Sequence, residues 1–174
     1  MKVIFLDIDG VLITSKCFGA SRRYTQKEWP LYHADEDAVR NFNRILAETG
    51  AVIVVSSTWR YHGMFKVKSA LQEWGVDLGP NTERLLDMTP DLRAKLDLRL
   101  REGLDLYAAV TRGAEIRAWL DAFDRADAGE DIERFVILDD DDNMGGLYGD
   151  LIRTDFSAGV TPEIADMVIK RLNG

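Results

Sequence analysis

Two carboxylates stand two positions apart at the end of an apolar run. Residues 2–10 read Lys2-Val3-Ile4-Phe5-Leu6-Asp7-Ile8-Asp9-Gly10. Val3 to Leu6 are short, apolar and β-favouring, the pattern of a central parallel strand covered on both faces. Asp7 falls where such a strand leaves its sheet, and the carboxyl edge of an open α/β sheet is where ligands bind. Gly10 lets the chain turn sharply after Asp9. Two acids so placed repel each other unless a cation or a proton lies between them. The plainer reading is a strand end with solvated acids.

Two further strand ends carry polar clusters. Ala51-Val52-Ile53-Val54-Val55 runs into Ser56-Ser57-Thr58-Trp59-Arg60, and Arg134-Phe135-Val136-Ile137-Leu138 runs into Asp139-Asp140-Asp141-Asp142. Hydroxyls after a β-branched strand can cap the following helix. Four consecutive acids after a buried strand are costly without a cation, although a solvated acidic loop is the simpler alternative. Upstream of the second cluster, Thr111-Arg112-Gly113-Ala114-Glu115-Ile116 opens a helix whose apolar residues Ile116, Trp119, Leu120 and Phe123 follow helical spacing. Thr111 is a good N-cap. An arginine in the first turn is disfavoured by the helix dipole, a local cost that makes sense if Arg112 faces carboxylates and a phosphate.

The stretch Phe5-Leu6-Asp7-Ile8-Asp9-Gly10-Val11-Leu12 resembles the first motif of the haloacid dehalogenase (HAD) superfamily of phosphotransferases. The resemblance implies a Rossmannoid three-layer α/β/α fold with a mainly parallel central sheet. It implies Asp7 as a nucleophile phosphorylated during turnover and Asp9 as general acid and then base. It also implies a Mg²⁺ held by Asp7, Asp9, Asp139 and Asp140, with Asp142 in reserve. The chemistry agrees: a carboxylate attacks phosphorus only if the phosphate charge is screened, and a second acid can protonate the leaving oxygen and then activate water. The second motif supplies a hydroxyl to the transferring phosphoryl group. Ser56 directly follows the strand and Ser57 lies two before Trp59, so either fits, with Ser57 preferred. The third motif supplies a cation, here Arg112 in place of the commoner lysine, with Lys95 as the alternative. Arg60 reads either as a substrate-phosphate contact or as a surface arginine.

Arg112-Gly113-x-Glu115-Ile116-x-x-Trp119-Leu120, the Trp59-Arg60 pair, Thr154-Asp155 and Gly159-Val160-Thr161 are similar to one subgroup, small domains found alone or attached to RNA-repair enzymes. The resemblance spans Lys2 to Leu172.

The elements that must position these residues alternate: strand 2–7, insert 13–34, helix 36–49, strand 51–55, helix 62–74, a mixed insert 77–110, helix 112–126, strand 134–138, a short strand near 150–153 and helix 161–172. Alternation predicts a parallel sheet with right-handed crossovers and a single domain over 1–174. Family members often carry a cap in such inserts, but both are small here. The first holds Lys16, Arg22, Arg23, Tyr24, Lys27 and Trp29, which can grip a phosphorylated nucleoside or a strand end, or simply form a surface flap. In the second, Leu92, Leu96, Leu100 and Leu104 predict a helix.

Composition narrows the function classes. A net charge of −8 argues against a generic nucleic-acid binder, although the acids of the metal site account for much of it. No apolar run suggests a membrane span, and Asp7 and Asp9 interrupt any signal-like start. A single cysteine, Cys17, fits a reducing cytosol and reads as an incidental loop thiol. The leading expectation is a Mg²⁺-dependent phosphomonoesterase acting on a nucleotide or polynucleotide end. The rivals are a small-metabolite phosphatase, a receiver-like domain phosphorylated by a partner, and a non-catalytic phosphate binder. A receiver carries its phospho-acceptor mid-domain without the Asp-x-Asp-Gly turn, and loss of Asp7 or Asp9 would have marked a non-catalytic relative.

Overall fold

The computed structural model describes residues 1–18, 30, 32–94, 110–126 and 131–174. Arg22, Arg23, Tyr24, Lys27, Trp29, Lys95 and the leucine-spaced helix beyond residue 94 lie outside the described residues.

Five strands, β1 (Lys2–Leu6), β2 (Val52–Val55), β3 (Leu85–Met88), β4 (Arg134–Asp139) and β5 (Leu151–Arg153), form one sheet in the order β3-β2-β1-β4-β5. Every described pairing is parallel. Side-chain alternation along the strands feeds two cores. Ile4, Leu6, Ile53, Val55, Val136 and Leu138 face one side, where they pack with α1 (Glu36–Thr49), α2 (Met64–Glu73) and the C-terminal helix Pro162–Asn173. Val3, Phe5, Val54 and Ile137 face the other side, with Ile116 and Trp119 of α3 (Arg112–Arg125). The C-terminal helix is α4. The result is the expected three-layer α/β/α arrangement.

Local signals set the helix limits. Asp35 caps α1 by accepting the Asp37 N–H, and the helix ends at Gly50 in the left-handed region. Thr111 caps α3 through the Ala114 N–H, and Thr161 caps α4 with Pro162 in its first turn.

Strand β3 falls inside the 77–110 segment read from the sequence as an insert. It is a four-residue edge strand with no fully buried side chain, and its pairing to β2 shifts between Ile53 and Val54. Such a strand has too little apolar alternation to announce itself, and its pairing with β2 is what defines it.

Candidate active site

Register brings the strand ends together. Leu6 pairs with Val55 on one side and Leu138 on the other, so the next residues along are Asp7, Ser56 and Asp139. The ladder continues one step past the strands, with Asp7 N–H donating to Leu138 O at 2.9 Å and Ser56 N–H to Leu6 O at 2.8 Å. The chain then turns at Gly10, whose φ is +75°. A side chain there would collide with the Asp140 carboxylate as well as strain the backbone.

Among the described residues, the Asp7, Asp139 and Asp140 carboxylates each offer an oxygen, and these lie within 4.8 Å of one another. Burial pushes the Asp139 carboxyl up to about 8, and the charge of Asp7 adds to the effect while Arg112 opposes it. Burial also raises Asp7, against the Arg112 guanidinium, the Ser57 hydroxyl and the Ile8 N–H, which favour its charged form. Asp140 is raised by burial and by Asp7, and Asp9 by burial and Asp140. These carboxylates are therefore crowded enough to compete for protons.

Arg112 enters this cluster from the first turn of α3. Its Nη2 is 3.7 Å from Asp7 Oδ2 and its Nε 3.3 Å from Asp139 Oδ2, while Nη1 donates to the Ser56 carbonyl. Burial disfavours its charge, but Asp7 and Asp139 outweigh that and raise its pKa. The helix start comes this close because position 113 is glycine. A Cβ there would overlap the Met144 carbonyl, and Gly113 N–H donates to Asn143 O at 3.2 Å.

The two serines separate. Ser57 hydrogen-bonds the Asp7 carboxylate through its hydroxyl and also accepts from Trp59 N–H at 3.4 Å. Ser56 is fully buried, and its Oγ has no protein partner among the described residues. It serves the site through its carbonyl, which holds Arg112.

Arg60 corrects the surface-arginine expectation, because it is buried. Its Nη2 donates to both Glu115 oxygens at 2.7 and 2.6 Å, with the side chains only 4% and 1% exposed. Its Nη1 donates to Ser57 O at 3.2 Å, so the pair clamps the hydroxyl-bearing loop to α3. Asp142, the reserve ligand, instead faces Arg153 at 3.3 Å on the surface.

Two side chains carried no assigned role in the sequence reading. Trp59 Nε1 donates to Asp9 Oδ2 at 3.0 Å, and Glu115 holds Arg60. Both lie beside expected site residues, Trp59 two after Ser57 and Glu115 three after Arg112. The available signal for Glu115 was its spacing of three from Arg112, which puts both on one helix face.

The carboxylate cluster fits a hard divalent cation. Its donors are all oxygen, and Asp139 Oδ2 is buried with no hydrogen bond among the described residues; Arg112 Nε lies 3.3 Å from it, and a divalent cation would offset more of the charge of the three clustered carboxylates.

An all-parallel α/β sheet with Asp-x-Asp-Gly after its central strand, facing paired acids at the end of the neighbouring strand, defines a HAD-type domain. The family described as the HAD domain in Swiss Army Knife RNA repair proteins matches residues 3–165, and the chain belongs to it. No curated protein matches the chain. Family membership supports a hydrolase of the phosphatase type. Among the described residues, no helix is long and apolar enough to cross a membrane.

Proposed function

We propose that residues 1–174 form one cytoplasmic domain acting as a Mg²⁺-dependent phosphomonoesterase through a phospho-aspartate. The observation that carries this reading is the convergence of Asp7, Asp139 and Asp140 around one point, with Arg112 and the Ser57 hydroxyl on the same Asp7 carboxylate.

Asp7, Asp139, Asp140 and the Asp9 carbonyl would hold the Mg²⁺. When bound, it would screen the phosphate and the carboxylates from each other. An Asp7 oxygen attacks phosphorus, a P–O bond to Asp7 forms, and the ester P–O bond breaks. Asp9 gives its proton to the leaving oxygen, a role helped by a raised pKa and by the Trp59 N–H that orients its carboxyl. Asp9, now ionised, takes a proton from the water that attacks phospho-Asp7. Phosphate departs, and both acids return to their starting states. Arg112 and Ser57 bind the phosphoryl oxygens and orient Asp7.

The substrate class we infer is a nucleotide or a polynucleotide end phosphate, supported by the family's occurrence in RNA repair proteins. The net charge of −8 favours the second reading, a small-metabolite phosphatase. The test is a panel of nucleotides, phosphorylated oligonucleotides and sugar phosphates with Mg²⁺, run beside Asp7→Asn. We expect label from a phosphorus-labelled substrate to appear on the wild-type protein and not on Asp7→Asn, which should lose activity by several orders of magnitude while remaining folded. Near wild-type turnover by the variant would reject the phospho-aspartate.

A further inference from the structure

Next to the carboxylates, at the C-terminal end of β5, lies a cavity of about 500 Å³. Asp140 forms one wall, and Arg153, Phe156, Thr161 and Ile164 form others. We propose that this cavity is a nucleobase subsite, in which the base of the substrate stacks on Phe156 while its phosphate lies at Asp7. The proposal deepens the phosphatase reading and rests on it for the position of the phosphate.

Phe156 is presented, not packed away. It sits in a tight turn in which Ala158 and Gly159 N–H both donate to Asp155 O, at 2.9 and 2.8 Å, and Ser157 N–H donates to Asp155 Oδ1. The turn is bolted to the first motif: Thr154 Oγ1 donates to Gly10 O at 2.8 Å, and Val160 N–H to Val11 O at 3.1 Å. The ring is thereby held at a fixed place relative to Asp7 and Asp9. Yet Phe156 remains 43% exposed, as do Phe18 (48%) and Tyr32 (41%) beside it. Phe18 stacks on Phe156 with ring centroids 5.9 Å apart and 28° between planes, and Tyr32 meets Phe18 edge-on at 5.0 Å. Phe156, on this turn and in the cavity wall it shares with Asp140, offers a half-exposed ring to stack on, and Phe18 and Tyr32 support it from outside the cavity lining.

Charge argues for stacking as the main grip. Arg153, the cation on the cavity wall, already faces Asp142 and donates to Asp140 O at 2.8 Å. In a protein of net charge −8, affinity for a nucleotide beyond its reacting phosphate must come largely from the base. A cavity of about 500 Å³ lies within the roughly 300–1,000 Å³ range of small-molecule sites, room for one nucleoside.

The experiment compares adenosine 5′-monophosphate with ribose 5-phosphate, which carries an anomeric hydroxyl in place of the base, using the full chain with Mg²⁺. Wild type should show the lower KM on the nucleotide. Phe156→Ala should raise that KM by roughly 5- to 150-fold, the loss of one stacked base, with kcat within about twofold and ribose 5-phosphate unchanged. Phe156→Trp should restore the preference. Phe18→Ala should give a smaller loss of the same kind, and thermal melts check that each variant is folded. Equal effects on both substrates, or none on either, overturn the subsite while leaving the phosphatase reading intact. If wild type hydrolyses neither compound nor any phosphate in the panel above, the phosphatase reading fails. Calorimetric titration then judges the subsite: nucleotide binding that Phe156→Ala weakens sustains it, and no difference from ribose 5-phosphate ends it.

Discussion

Arg60 and Glu115, 55 residues apart in sequence, form a bidentate ion pair sealed beneath the loop that carries Ser57. Such a pair costs desolvation on both sides, and breaking it strands a buried charge. Arg60→Ala or Glu115→Ala should therefore lose about 3–5 kcal/mol in urea unfolding. A direct substrate contact at Arg60 would instead appear as a raised KM in a protein of unchanged stability.

Arg112 is the cation on Asp7, so its loss leaves the acidic cluster uncompensated and a bound phosphoryl group without a guanidinium. Arg112→Ala should reduce kcat/KM by about 10²-fold or more, and Arg112→Lys should retain part of the activity. Steady-state kinetics with Mg²⁺ at saturation decide it, and a harmless Arg112→Ala would remove the residue from the site.

The hydrogen bond from Trp59 to Asp9 gives the tryptophan a route to the proposed general acid. Trp59→Phe keeps the ring and deletes the N–H that Asp9 Oδ2 accepts at 3.0 Å. It should slow hydrolysis of an alkyl phosphate by roughly tenfold, a fraction of the effect of a whole general acid. p-Nitrophenyl phosphate, whose leaving group needs no proton, should be affected less in its first step. Equal slowing of both in single-turnover reactions would assign Trp59 to packing alone.

The apo protein should lose stability as pH rises. Asp139 has a folded pKa of about 8 because burial and Asp7 disfavour its charge, against about 3.9 for an unfolded aspartate. Between those values the folded state binds more protons than the unfolded one, so this group's contribution falls as pH rises from about 4 to about 8. In EDTA, Tm should decline across that window, and less steeply in Asp139→Asn. On the proposed reading Mg²⁺ would bind the ionised carboxylates, so its increment in Tm should be larger at pH 8 than at pH 5. Equal increments at both values would argue against these acids as the metal site.

Much of this molecule was legible along the chain. Asp7 and Asp139 stood out because each follows an apolar run, whose end is visible without knowing what lies beside it, and Asp9 through its Asp-x-Asp-Gly spacing to Asp7. The limits of α1, α3 and α4 were equally local: Asp35, Thr111 and Thr161 satisfy N–H groups two or three residues away, and Gly50 ends α1 in a conformation glycine adopts freely. Parallel pairing decided the rest. The one-step extension of the Leu6–Val55–Leu138 register sets Ser56 and Asp139 on either side of Asp7, and the turn that follows gives Ser57 its hydrogen bond to that carboxylate. Burial beneath that loop made Arg60 a clamp, a role that depends on Glu115 arriving from α3. β3 became a strand by pairing with β2, its own side chains burying too little to require one. Caps and periodicity act over a few residues and so can be read in order, whereas ion pairs and sheet edges join residues far apart and exist only once the chain has folded.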